Sequence, residues 1–240
     1  MRPTATSSAA WKRRAVASGS RRVLVFSPHP DDDIIGLGGR LAHHARSGDF
    51  VETVYMTSGE AGDIRRSPAA AARVRKEEAR KAARVIGISK VSFLGLPDGG
   101  VPSSGPVLDR ITRLIRLKKP HVVYFPHAGD GHPDHRRTHE LVREAVSRSG
   151  VPCFPRAGKG IWTPATVLCY EVWTPLSEFS FVEDISDVIE LKIRALACHA
   201  SQLRAVRYDD AVRSLNRFRG VMTGIGRYCE CFQVLRASGL

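Results

Sequence analysis

The chain has 240 residues, and 37 Lys and Arg against 24 Asp and Glu give a formal net charge of +13. Hydrophobic residues make up 42% and charged residues 25%, proportions that are typical of a globular protein. This balance excludes a wholly disordered chain, a collagen-like fibre and a small disulfide-stapled domain. The sequence also contains no apolar run near the ~20 residues that are needed to cross a bilayer.

The N-terminal end differs in composition from the rest of the chain. Residues 1–21 are basic, rich in Ser, Thr, Ala and Gly, and free of acidic residues, so we predict a disordered basic arm followed by a single domain over residues 22–240. No continuous apolar stretch follows the basic residues before the first predicted strand, so a secretory signal is not indicated. The five cysteines are odd in number and lack Cys-x-x-Cys spacing, and we therefore expect a reducing, cytoplasmic location.

From residue 23 to residue 148, short apolar runs alternate with amphipathic segments. The predicted strands are 23–26, 50–56, 91–94 and 122–125, and the predicted helices are 36–47, 69–86, 107–117 and 136–148. This alternation predicts an α/β fold, a Rossmann-like three-layer sandwich whose central sheet is mostly parallel, with strand order 3-2-1-4-5. Beyond residue 150 we expect an edge strand over 165–173 and a helix over 187–200, whereas the last 40 residues give no clear pattern.

Two strings rich in His and Asp follow the first and fourth predicted strands. Residues 29–33 read His-Pro-Asp-Asp-Asp, and residues 130–135 read Asp-Gly-His-Pro-Asp-His. Strands 1 and 4 are neighbours ~4.8 Å apart in the predicted order, so both strings should meet in the crevice outside the carboxyl ends of the strands. Pro30 and Pro133 are expected to keep both strings out of a regular helix.

Together the two strings offer three imidazoles and up to five carboxylates, a donor set that suits Zn²⁺. A spare carboxylate beside a zinc-activated water can take its proton, and a spare imidazole can stabilise the oxyanion or protonate the leaving amine. The reaction class that this pattern predicts is metal-assisted hydrolysis of an unactivated bond, most naturally an amide.

Other features have simpler explanations. An acidic string after a strand is by itself often only a solvated turn or a helix cap. We expect His43 and His44 on a solvated helix face, and His139 at the surface or packed, while His127 could touch the crevice. Close helix–sheet packing is expected of Gly36, Gly38 and Gly39, because the Gly-x-Gly-x-x-Gly spacing of a nucleotide-binding loop is absent.

The paired strings resemble the PIG-L/LmbE-like N-acetylglucosaminyl deacetylases, in which a His-Pro-Asp-Asp string follows the first strand and a His-x-Asp-His string follows a later one. The resemblance covers about residues 22–205. It extends through shorter strings at residues 57–60, 75–78, 93–99 and 199–202.

The resemblance implies roles for residues of both strings and beyond. It implies that His29, Asp32 and His135 hold Zn²⁺, that Asp31 is the general base, that His132 assists as acid or oxyanion partner, and that Asp134 orients or tunes His132. It implies that Arg75 and Asp98 contact the sugar, and that His199 and Gln202 lie near the site on the substrate side.

Two positions depart from the family pattern. Asp33 stands where Glu is frequent, which puts a supporting role for this position in doubt. Asp130 stands where some members have Tyr, so a tyrosine cannot stabilise the transition state from there.

The resulting expectation is a zinc-dependent hydrolase that removes the N-acetyl group from an N-acetylglucosamine-type sugar or conjugate and releases acetate. The ligand set also suits Fe²⁺ or Co²⁺. A metal-dependent amidohydrolase acting on a non-sugar amide is one alternative, and a basic nucleic-acid-binding α/β protein with a structural acidic cluster is another. Few aromatic residues interleave the arginines after residue 203, which disfavours nucleic acid as a partner. The sequence predicts no oligomeric state.

Overall fold

The computed structural model describes residues 20–238, so the predicted basic arm, apart from its last two residues, lies outside the described residues. The elements are β1 (Arg22–Ser27), α1 (Asp32–Arg46), β2 (Phe50–Thr57), α2 (Pro68–Ile86), β3 (Lys90–Leu96), α3 (Gly105–Lys118), β4 (Val122–Pro126), α4 (Pro133–Ser149), β5 (Thr166–Tyr170), β6 (Phe181–Asp184), α5 (Ile189–Leu196), α6 (Ala200–Leu203), α7 (Tyr208–Thr223) and β7 (Cys229–Ala237). Over this range, no helix combines the length and the apolar character that a membrane crossing requires.

One seven-stranded sheet runs in the order β3-β2-β1-β4-β5-β7-β6. The first five strands pair in parallel, which confirms the predicted order 3-2-1-4-5. The prediction that β5 lies at the edge is wrong, because the antiparallel strand β7 pairs with it and in turn carries β6.

Helices cover both faces of the sheet and give the predicted three-layer sandwich. Successive residues of β1 alternate between two cores: Val23 and Val25 pack on the side of α1, α2, α5 and α7, whereas Leu24 and Phe26 pack on the side of α3 and α4. A strand that is buried on both faces needs an unbroken apolar run, which is what residues 23–26 supply.

Both helices that follow the His/Asp strings begin earlier than predicted. α1 starts at Asp32 rather than residue 36, with Asp32 and Asp33 in its first turn, where carboxylates interact favourably with the positive end of the helix dipole. α4 starts at Pro133 rather than residue 136. Proline fits the first helical position, where its missing N–H needs no partner, so Pro133 opens the helix that it was expected to delay.

The C-terminal third differs most from the expectation. The helix predicted over 187–200 is divided into α5 and α6, and the residues without a clear pattern form α7 and β7. All five cysteines are free, in agreement with the absence of a disulfide framework.

Two glycines of helix α1 allow the helix to pack closely against its neighbours. A Cβ on Gly36 would lie 2.6 Å from the carbonyl oxygen of Glu171, and one on Gly39 would lie 2.5 Å from Ile185, so both positions require glycine for close packing, as predicted.

The expectation of a solvated face at His43 and His44 is wrong. His44 is buried because Asp49 and the Tyr124 hydroxyl satisfy both ring nitrogens, and His43 bonds to Glu183 and Asp187.

Candidate metal centre and active site

The two His/Asp strings meet at the carboxyl ends of β1 and β4, where the strand order reverses. The first string contributes the loop from β1 into α1, and the second contributes the loop from β4 into α4. Ring centroids of His29 lie 4.8 Å from His132 and 5.3 Å from His135, although the residues are more than 100 positions apart in sequence. Sequence and topology therefore converge on one crevice, as expected for this class of sheet.

Three donor atoms form a tight triangle in this crevice. His29 Nδ1 lies 3.0 Å from Asp32 Oδ2, His135 Nε2 lies 3.2 Å from the same oxygen, and the two nitrogens are 3.3 Å apart. Donors that surround a tetrahedral ion at ~2.0–2.2 Å are separated from one another by about 3.3 Å. The triangle therefore has the dimensions of three ligands around a single metal ion.

The far sides of both imidazoles face carboxylates, which is the arrangement that fixes metal-binding histidines in one orientation. His29 Nε2 lies 3.0 Å from Asp98 Oδ1 and 3.2 Å from Asp134 Oδ2, and His135 Nδ1 lies 3.2 Å from Asp130 Oδ1. Two further groups have donor atoms close enough together to hold a metal ion. One consists of His29, Asp98 and Asp134, and the other consists of His29, His132 and His135. The donor set and the surrounding negative charge therefore fit a divalent cation.

The charges of the triangle depend on each other. Burial raises the pKa of Asp32, but the charge of His135 and the bonds from both histidines outweigh it and hold this pKa well below its usual value. Burial lowers the pKa of His135, but Asp32 and Asp130 raise it to about 9. Burial also lowers the pKa of His29. The bonds to Asp134 and Asp32 outweigh burial, so the pKa of His29 is well above its usual value.

Asp31 lies beside the triangle but makes a different contact. Its Oδ2 is 3.0 Å from Nη2 of Arg75, and the same guanidinium donates to the carbonyls of Pro30 and Gly59. Burial raises the pKa of Asp31 to about 6, against the lowering effect of the Arg75 charge. Its backbone has a φ of 154° and a ψ of −28°, a sparsely populated conformation for a residue other than glycine, so the surrounding contacts hold this carboxylate in a strained position.

His132 is fixed by the start of α4. It is the N-cap residue, and its Nδ1 accepts the backbone N–H of Asp134 at 3.2 Å. In the neutral ring the proton must therefore be on Nε2, which makes that atom a donor. Burial lowers the pKa of His132, and the neighbouring His29 and His135 add to this shift, so the neutral form is favoured.

Asp134 and Asp98 join the centre to the loop after β3. The Asp134 carboxylate accepts the backbone N–H groups of Gly99 and Val101 at 2.7 and 3.0 Å, and Asp98 Oδ2 accepts the N–H of Ala61. Burial raises the pKa of Asp134, but His29 and these backbone bonds outweigh burial and lower the pKa to about 2. Asp134 therefore contacts His29 rather than His132 through its carboxylate.

Residues 199–202 lie behind Arg75 on α6. Gln202 donates to the Gly62 carbonyl and to Ser201, whose N–H and hydroxyl both bond to Glu78. His199 is fully buried, neither of its ring nitrogens has a partner among the described residues, and burial together with the Arg75 charge lowers its pKa to about 3. These contacts place both predicted substrate residues in a buried layer next to the Asp31–Arg75 pair.

Some features of the site were missed or misjudged in the sequence. Asp130 was counted among the carboxylates, but its bridge from His135 to the backbone of Trp173 was not predicted. Asp33 has a definite role, since its buried carboxylate accepts from the Tyr55 hydroxyl at 3.0 Å and anchors α1 to β2. His127 bonds to the Thr174 carbonyl and supports the loop after β5.

Comparison with known proteins identifies the family of this chain. The sequence model of the PIG-L family, described as GlcNAc-PI de-N-acetylase, matches residues 24–146. The chain belongs to the PIG-L family. This confirms the resemblance inferred from the two strings.

Similar members of the PIG-L family cover most of this chain. Diacetylchitobiose deacetylase of Thermococcus kodakarensis is 34% identical over 222 residues, which span 88% of this chain and 81% of that protein. The 1D-myo-inositol 2-acetamido-2-deoxy-alpha-D-glucopyranoside deacetylase of Mycobacterium leprae is 29% identical over 251 residues, which span 78% of this chain and 82% of that protein. The solved structure of N,N'-diacetylchitobiose deacetylase from Pyrococcus horikoshii superimposes with a TM-score of 0.82 and 30% identity, covering 90% of this chain and 84% of that one.

Proposed function

We propose that this protein is a zinc-dependent N-deacetylase that removes the acetyl group from an N-acetylglucosamine-type sugar or conjugate and releases acetate. The observation that carries the proposal is the triangle of His29 Nδ1, Asp32 Oδ2 and His135 Nε2, with the Asp31 carboxylate left outside it. The deacetylase names of the relatives support the reaction, and their sugar substrates support the substrate class.

In this proposal His29, Asp32 and His135 hold the metal. A zinc ion bound there supplies Lewis acidity towards the acetyl carbonyl and lowers the pKa of a water molecule towards ~7. Asp130, Asp98 and Asp134 keep the two imidazole rings in orientation through their outer nitrogens.

Asp31 takes the proton of the attacking water. Its buried carboxyl group has a pKa of about 6, close enough to neutrality for it to accept a proton and later return it. Arg75 binds this carboxylate and is itself fixed by donating to the carbonyls of Pro30 and Gly59, which restricts the rotamers of the base.

We assign His132 to the side of the reacting group opposite Asp31; its ring lies 4.8 Å from that of His29 and 4.9 Å from that of His135. Because its Nδ1 is occupied by the Asp134 N–H, the Nε2 proton is available to stabilise the oxyanion that develops on the acetyl carbonyl, or to pass to the leaving amine. Asp98 is assigned to a sugar hydroxyl, and Arg75, His199 and Gln202 are assigned to the layer that shapes the substrate side of Asp31.

The test combines metal analysis with acetate release from a panel of N-acetylated amino sugars and N-acetylated amines without a sugar. We expect bound zinc, acetate from the sugars, and a loss of at least ~10²-fold in kcat for Asp31→Asn and for His135→Ala. His139→Asn is the matched control one helical turn along α4, since an amide can replace the bond from His139 Nδ1 to the Pro126 carbonyl. Full activity of Asp31→Asn would overturn the proposal. Acetate release from the sugar-free N-acetylated amines alone would show that the substrate is a non-sugar amide.

A further inference from the structure

A cavity of about 290 Å³ lies next to the metal centre and takes no part in the chemistry described so far. It is enclosed by the start of α1, the loop after β5 and one face of α7. Its apolar wall includes Ile35, Trp173, Val206, Tyr208, Val212 and Leu215. The volume is at the lower end of the range for pockets that bind small organic molecules, about 300 Å³.

The carboxylate and the amide of the wall are already bonded within the protein. Glu171 accepts from Arg219 at 2.6 Å and from the Leu176 N–H at 2.7 Å, and Asn216 binds Lys192 and the Cys229 carbonyl. A ligand therefore meets mainly aliphatic and aromatic carbon in this cavity. Such a wall favours an apolar ligand, since a polar one would lose its hydrogen bonds to water without replacing them.

Two backbone hydrogen bonds connect the cavity to the metal centre. The N–H of Trp173 donates to Asp130 at 2.9 Å, and the other oxygen of Asp130 lies 3.2 Å from His135. Ile35 lies one helical turn beyond Asp31, to whose carbonyl its N–H donates.

An aromatic pair stands at this junction. The rings of Trp173 and Tyr208 meet edge to face with centroids 5.4 Å apart, and Trp173 is 47% exposed. An aromatic side chain beside a polar site offers a flat apolar surface together with a polar edge, which matches the apolar face and hydroxyl rim of a sugar ring. Both rings line the cavity, so a substituent that enters it contacts this pair.

We infer that the cavity binds an apolar aglycone, an alkyl or aryl group joined to the amino sugar. This inference rests on the proposed deacetylase function and narrows its substrate to sugars that carry such a group. Since the aglycone is buried only on binding, lengthening it should raise kcat/KM until the cavity is full.

The experiment measures acetate release from the methyl, butyl and hexyl glycosides of N-acetylglucosamine, with free N-acetylglucosamine as reference and at concentrations below micelle formation. We expect kcat/KM to rise by up to about fourfold for each buried methylene, since ~0.8 kcal/mol accompanies each one. The variant Val206→Asp places a charge in the exposed part of the cavity wall and should remove this gain while leaving release from the free sugar unchanged. Val221→Asp, on the exposed side of α7 outside the wall, is the matched control and should keep the gain.

Calorimetric binding of the deacetylated hexyl and methyl glycosides separates the two ideas. Equal rates and equal affinities along the series would overturn the aglycone inference. In that case, acetate release from the free sugar would still support the deacetylase function. Absence of acetate from every glycoside would instead contradict the proposed function, and calorimetry would still decide whether the cavity prefers the hexyl chain. If sedimentation shows a dimer that Val206→Asp dissociates, a second copy of the chain covers the cavity and the inference fails.

Discussion

Asp130 illustrates how much of the centre depends on a residue outside the proposed ligand set. One oxygen lies 3.2 Å from His135 Nδ1, and the carboxylate also accepts the backbone N–H groups of His132 and Trp173. It therefore fixes a ligand ring, the start of α4 and the loop after β5 at the same time. Sequence alone gave no signal for this role beyond its position two residues before His132.

We expect Asp130→Asn to lower zinc affinity by about 10–100-fold, because an amide orients and polarises the imidazole less than a carboxylate does. Competition with a chromophoric chelator measures this change. Asp109→Asn is the control, since Asp109 lies on α3 and its ion pair, at 3.8 Å, is with Arg148 of α4. Unchanged affinity in Asp130→Asn would show that His135 does not need this carboxylate.

Helix α1 joins the active-site loop to the far edge of the sheet. Its Gly39 and Arg40 N–H groups both donate to Glu230 of β7, and Glu230 also pairs at 2.7 Å with Lys192 of α5. Neither charged side chain has any solvent exposure. The position of α1, and with it that of Asp31 and Asp32, is tied to this buried pair.

Removing one member of such a pair leaves the other charge buried without a partner. We expect Glu230→Ala to lower the free energy of unfolding by about 3–5 kcal/mol in urea titrations. Glu190→Ala breaks the solvent-exposed pair with Arg213 and should cost no more than about 1 kcal/mol. Equal losses in the two variants would contradict a special role for the Lys192–Glu230 pair.

A second connection between α1 and this edge depends on pH. His43 bonds to Glu183 at 2.6 Å and to Asp187 at 2.9 Å, and these bonds raise its pKa in spite of partial burial. A histidine whose pKa is raised on folding contributes stability below its unfolded pKa of about 6.5 and loses that contribution as the pH rises through the folded pKa.

We therefore expect His43→Gln to destabilise the protein more at about pH 5.5 than at about pH 9. The measurement is the difference in unfolding free energy between variant and parent at each pH. His121→Gln serves as the comparison, because burial and the charge of Arg22 lower the pKa of His121, so its pH trend should have the opposite sign. The same trend in both variants would refute the assignment.

Patterns within single elements explain which parts of the fold could be predicted. The apolar run of β1 and the turn residues around α2 could be interpreted from local sequence. These elements need only general burial by neighbouring strands and helices, and not a specific distant partner. β7 escaped prediction since its buried Glu230 interrupts the apolar pattern, and the partners that make this burial acceptable, Lys192 and the N–H groups of Gly39 and Arg40, are far away in sequence. His44 was misjudged because its ring nitrogens are satisfied by Asp49 in the loop after α1 and by Tyr124 on the distant strand β4.

For the whole molecule, the sheet supplies the scaffold and the loops at one end supply the site. The spacing of the two His/Asp strings was enough to predict their convergence, because parallel topology brings the ends of β1 and β4 together. Trp173 and Tyr208 could not be assigned, since nothing in their local sequence indicates that the loop after β5 and α7 meet beside the metal centre.

Global stability should respond to metal and not to reducing agents. A zinc ion that binds only the folded state adds about 4 kcal/mol at a free concentration 1,000 times its Kd. We expect EDTA to lower the Tm and stoichiometric zinc to restore it. The thiol-free reductant tris(2-carboxyethyl)phosphine should leave the Tm unchanged, because every cysteine is free. A Tm that is insensitive to EDTA in zinc-loaded protein would contradict a structural contribution of the metal.

The placement of β7 between β5 and β6 has a consequence for biosynthesis. As the ribosome releases the chain, β1 to β5 can assemble early, but β5 keeps an open edge until residues 229–237 emerge. An unpaired strand edge invites pairing with other nascent chains. Chaperone dependence and co-translational aggregation should therefore be concentrated in the interval between translation of Tyr170 and translation of Ala237.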